Sequence, residues 1–128
     1  MFVVVARNFP PDIGGIQSLM GGLSESLVAH GPVKVFTYDH SKSEFYDKKS
    51  LISIERVKGI KLFKKYRKAN LVNEYIESSS NIRALIADHW KSLELIKTNK
   101  KKICLIHSKE INHNKGSILN KRVLNVLN

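Results

Sequence analysis

Phe2-Val3-Val4-Val5-Ala6, then Arg7-Asn8-Phe9-Pro10-Pro11-Asp12-Ile13-Gly14-Gly15, then Ile16-Gln17, is the stretch that decides the fold. Five consecutive apolar residues read as a strand buried on both faces, which is the pattern of a parallel sheet. Two prolines and two glycines then make a loop. From Ile16 the apolar residues Ile16, Leu19, Met20, Leu23 and Leu27 recur at helical spacing. His30-Gly31-Pro32 follows with a C-terminal glycine and a proline beyond it. Strand, loop and amphipathic helix in this order open a βαβ unit.

The same alternation continues downstream. Val33 to Tyr38 is a second strand, Asp39 to Lys49 is polar and loop-like, and Leu51 to Val57 alternates as a third strand. A long helix is expected over 60–78, with Leu62, Phe63, Tyr66, Ala69, Val72 and Ile76 as its apolar stripe. Ile82 to Ala87 is a fourth strand, and Asp88 is placed to cap a helix from His89 to about Lys97. Lys102 to His107 is a fifth strand, with Cys104 as a buried strand thiol, and Ser117 caps a last helix carrying Leu119, Val123, Val126 and Leu127. Right-handed crossovers between such strands give a Rossmann-like three-layer α/β/α domain with a parallel, about five-stranded sheet.

The 128 residues fit one domain, 1–128, and the helical pattern running up to Asn128 without a stop signal reads as a truncation. Apolar residues make up 42% and no apolar run is long enough for a bilayer span. The first residues lack a basic leader, so the expected compartment is the cytoplasm. One cysteine excludes an internal disulfide, and the five histidines lack metal-ligand spacing. Net charge is +11, which suits an anionic partner: nucleic acid, acidic headgroups or a phosphorylated substrate. The richness in Lys, Asn and Ile is equally the signature of AT-rich codons.

Ligands of open parallel sheets bind at the carboxyl ends of the strands, near the topological switch point. Gly14-Gly15 stands at the end of the first strand, directly before a helix whose N-terminal N–H groups favour an anion. The spaced-glycine dinucleotide fingerprint and the Walker Gly-Lys-Ser/Thr ending are both absent. Taken alone, the doublet is equally a tight strand–helix turn.

In context it says more. Phe9-Pro-Pro-Asp-Ile-Gly-Gly-Ile-Gln17, an amphipathic helix, His30-Gly31 and Val33-Lys-Val-Phe-Thr37 resemble the opening of the family-four retaining glycosyltransferases. Ala84-Leu-Ile-Ala-Asp-His-Trp90 and Ile103-Cys-Leu-Ile-His-Ser-Lys-Glu110 are similar to that family's fourth and fifth strands with their following turns. The resemblance implies the N-terminal, acceptor-side half of a two-domain GT-B enzyme, ending before its C-terminal donor-binding domain. Such an enzyme transfers sugar from a nucleotide-diphosphate sugar to an acceptor hydroxyl on a glycan or lipid-linked sugar, in cell-envelope synthesis, with no metal or other cofactor. By the same resemblance Gly14 and Gly15 approach the donor diphosphate and sugar, and His107 lies near the reacting carbon. Asp12, Asp88, His89 and Glu110 line the acceptor side. Ser108 departs from the glycine usual after that histidine. Without the second domain the chain is expected to bind donor weakly and turn over nothing.

Other readings attach to particular residues. Apart from the resemblance, His107 is equally a core or surface histidine, and Trp90, on an apolar helix face, reads as core and not as a substrate platform. Lys58, Lys61, Lys64, Lys65, Arg67 and Lys68 place six cations in eleven residues among Ile60, Leu62, Phe63 and Tyr66. They are either a solvated face or a peripheral contact with the anionic inner face of the cell membrane. A noncatalytic Rossmann-like subunit of a split enzyme is the alternative function. A nucleic-acid-binding domain has only electrostatics in its favour.

Overall fold

The computed structural model describes residues 1–107 and 112–128. Five parallel strands, β1 (Phe2–Val5), β2 (Val33–Tyr38), β3 (Ser53–Val57), β4 (Ala84–Ala87) and β5 (Lys102–Cys104), pair in the order β3-β2-β1-β4-β5. The helices are α1 (Gly15–Val28), α2 (Ser43–Lys49), α3 (Lys61–Ser78), α4 (Trp90–Leu93) and α5 (Ile118–Leu127). The chain is thus α/β with helices on both faces of the sheet, as the apolar runs imply.

β1 sits centrally because its valines serve both layers. Val3 and Val5 join Phe36, Leu85, Val72 and Ile76 under α3, while Val4 joins Val35, Ile86, Phe9 and Met20 under α1. All three valines are fully buried, each contributing about 1.5–3 kcal/mol of apolar burial. A third cluster of Ala87, Trp90, Leu93, Val123 and Val126 packs α5 against α4. Trp90 is therefore a core side chain.

Three elements differ from the sequence expectation, two of them through contacts distant in sequence. The segment 43–49 is helical, not loop. Asp47 takes a two-pronged ion pair from Arg56, at 2.8 Å for each contact, and Tyr46 meets the Phe9 ring edge-on. The helix expected over 89–97 ends at Leu93. Asn73 of α3 intercepts the chain there, accepting from the Lys97 amide at 2.9 Å and donating to the Leu95 carbonyl at 3.1 Å. β5 stops at Cys104, which is half-buried at a sheet edge and not a buried thiol, so His107 lies beyond the strand. Ser117 does cap α5, its hydroxyl accepting from the Asn120 amide at 3.1 Å.

The predicted stripes are shifted as well. α1 buries Met20, Gly21 and Ser24 and leaves Ile16 and Leu19 substantially exposed. On α3 only Ala69, Val72 and Ile76 of the expected stripe are buried; Leu62, Phe63 and Tyr66 are 73%, 57% and 56% exposed. Length explains this. Eighteen helical residues span about 27 Å, whereas four-residue β1 spans about 13 Å. Descending antiparallel to the strands, α3 overhangs their carboxyl ends with its first two turns.

Candidate functional site

β1, β4 and β5 are neighbours, so the loop after β1, the turn after β4 and the segment after β5 stand side by side along the carboxyl edge of the sheet. β1 leads into α1 on one face and β4 into α4 on the other, which makes this the switch point where an open sheet leaves a crevice. Asp12, Gly14, Gly15, Asp88, His89 and His107 all lie on these three connections. Glu110 and Ser108 lie outside the described residues.

The loop after β1 is open at its tip. Gly14 is the N-cap of α1 and has no side-chain cap, and no acidic residue occupies the first helical turn. A methyl group added at Gly15 would meet nothing within 4 Å, and Ile13 is 95% exposed. At Gly14 the Gln17 side chain folds back into the space a Cβ would take, so the open side of this helix start, with its share of the helix dipole, is at Gly15. Asp12 braces the loop from within, accepting from the Ile13 amide at 3.0 Å and from the Gln17 side chain at 3.2 Å. Arg56 also donates to the Pro10 carbonyl, tying the loop to α2 and β3.

Asp88 is buried, with both oxygens used internally. It accepts from the Arg7 amide at 2.7 Å and from the Ser92 hydroxyl at 2.7 Å, locking the end of β1 to α4. The N-cap of α4 is His89 and not Asp88: its Nδ1 accepts from the Lys91 amide at 3.0 Å. His107 is half-buried.

On the α3 side of the same edge lies a feature that the sequence reading did not single out. A cleft of about 400 Å³ is walled by Arg7, Tyr38, Lys61, Lys64, Lys65 and Lys91, with Lys68 at its floor. Lys68 is only 4% exposed, so it does not belong to the outward lysine face. Its ammonium donates to the Ala6 carbonyl at 2.7 Å and lies 4.2 Å from the Tyr38 ring centroid. Burial lowers the Lys68 pKa to about 8, the Asp88 charge opposing that shift and Arg7 adding to it. Burial likewise raises the Tyr38 hydroxyl above its usual range. Register carried the signal: Lys68, Val72 and Ile76 are spaced by four, so Lys68 shares the buried stripe. A larger hollow of about 910 Å³ along α2, lined by Pro11, Phe45 and Tyr46, contains none of the predicted site residues.

Among the described residues no three His, Cys, Asp or Glu side chains are placed to hold a metal ion, and no helix is long and apolar enough to cross a membrane. Comparison with protein-family models, with curated proteins and with solved structures finds no match to this chain.

Proposed function

We propose that this chain is the N-terminal, acceptor-side domain of a retaining glycosyltransferase of the GT-B type, working with a donor-binding domain. The observation that carries the reading is the Gly14-Gly15 loop: a helix start at the end of the central strand with no acidic residue in its first turn, open at Gly15 and lined at Gly14 by the Gln17 side chain. Negative charge develops on the diphosphate as the donor sugar departs. Amides fixed at the start of α1 offset that charge without reorganising. His107, beyond β5 two strands from β1, is the residue proposed to face the sugar. Asp12 acts by holding the glycine loop in shape, and Asp88 by holding Arg7 and α4.

The overhanging start of α3 supports peripheral attachment at an anionic leaflet. Leu62, Phe63 and Tyr66 are exposed beside Lys58, Lys61, Lys64 and Arg67, an arrangement suited to an acidic lipid surface. Lys68 is excluded from that surface by its burial, and Lys65 is held by Glu94 at 2.6 Å.

The test is sugar transfer by this chain together with the donor-binding domain that the reading requires. Transfer from a nucleotide-diphosphate sugar with retained anomeric configuration is expected. His107→Ala should lower it about a hundredfold with the fold intact. Absence of any sugar release or transfer across the common nucleotide sugars refutes the reading.

A further inference from the structure

We propose that the cleft between the end of β1, Tyr38 and the overhang of α3 is a phosphate-binding site, and that it takes a phosphate group carried by the acceptor. The second half rests on the glycosyltransferase reading; the first does not. Arg7, Lys61, Lys64 and Lys91 surround the cleft, and among the described residues none of them forms an ion pair. Counting the cleft cations with Lys65 and Lys68 gives six. The two nearby carboxylates, Asp88 and Glu94, leave a surplus of four positive charges.

Unpaired like charges around one hollow repel each other, and an oxyanion with several acceptor oxygens relieves the repulsion. The floor is built for recognition and not merely charged. Lys68 is fixed by the Ala6 carbonyl and the Tyr38 ring, and α3 begins at the cleft mouth with its dipole positive there. The cleft lies on the opposite face of β1 from the glycine loop. A donor diphosphate at Gly14-Gly15 and an acceptor phosphate in the cleft are therefore separate occupants flanking one switch point.

The experiment titrates isotope-labelled chain with inorganic phosphate and with glycerol 3-phosphate, reading amide shifts. Separately, it measures sedimentation of the chain with phosphatidylglycerol vesicles. Saturable shifts are expected at Arg7, Tyr38, Lys68 and Lys91 with both soluble probes. Lys64→Gln combined with Lys91→Gln should weaken them about tenfold. Lys101→Gln combined with Lys121→Gln, an equal loss of charge elsewhere, should not. Equal weakening by both pairs, no saturable shift at these residues, or binding to the vesicles alone would each overturn the site. Phosphate binding in the cleft with no sugar transfer by the complete enzyme would keep the site and overturn its assignment to an acceptor.

Discussion

The Lys68 ammonium donates to the Ala6 carbonyl at 2.7 Å, joining the middle of α3 to the last residue before the loop that follows β1. This bond places a buried cation where the sheet ends, with the Arg7 amide held by Asp88 one residue further on. A lysine so placed costs desolvation energy that an apolar residue would not. The proposed phosphate site gives that buried cation, at the floor of a cleft of cations, a role.

Lys68 should be visible in the pH dependence of stability. Its folded pKa, about 8, lies below the 10.5 of an exposed lysine because burial disfavours the charge. Between those values the unfolded chain binds more protons, so stability rises as pH climbs from about 8 to 10.5, by on the order of 3 kcal/mol from this group. Urea denaturation across that range should show the rise in the native chain. Lys68→Met should flatten it, and an unchanged slope in that variant would contradict the assignment.

Adjacent glycines in α1 should respond in opposite directions to alanine. A Cβ at Gly21 would sit 2.7 Å from the Pro10 ring, which cannot swing away. Gly21→Ala is expected to destabilise by about 1–3 kcal/mol. At Gly22 nothing lies within 4 Å, so Gly22→Ala gains helix propensity and stabilises by about 0.5–1 kcal/mol. Thermal melts of the two variants check this; equal effects would mean that α1 does not press on the Pro10 loop.

Glu94 links three helical segments, pairing with Arg122 of α5 and with Lys65 of α3 just beyond the end of α4. The hydrogen bonds from Arg122, and then those from Lys65, hold its pKa down at about 2. Its contribution is present above the ordinary carboxylate range and is lost as pH falls from about 4.5 towards 2. Glu94→Gln should lower the melting temperature at pH 7 by a few degrees and shrink the further loss on acidification. A variant that melts like the parent at both pH values would show the cluster to be inert.

Much of the fold was legible because burial on both faces leaves an unambiguous trace. Val3, Val4 and Val5 read as a strand buried on both faces, which is what the central β1 is, and the alternation after them placed every other strand. What escaped depends on partners far along the chain. α2 is held by Arg56 and Phe9, and α4 is cut short by Asn73. At the site, Gly14 and Gly15 stand where a glycine doublet after a first strand belongs. Asp88 looked like a helix cap because its internal partner, the Arg7 amide, is a backbone group that no side-chain pattern reveals. Lys68 looked like one of six surface cations because the overhang of α3, which buries it while baring Phe63, comes from the shortness of the strands.

The central claim, that the glycine loop at the start of α1 receives a nucleotide-diphosphate sugar, is tested most directly by titrating isotope-labelled chain with such sugars. Weak but saturable shifts confined to the amides of Gly14, Gly15 and Ile16 and to the His107 ring are the predicted result, and they should vanish in Gly15→Val. Shifts spread over the lysine-rich surfaces and abolished by salt, or none with any nucleotide sugar, would contradict it.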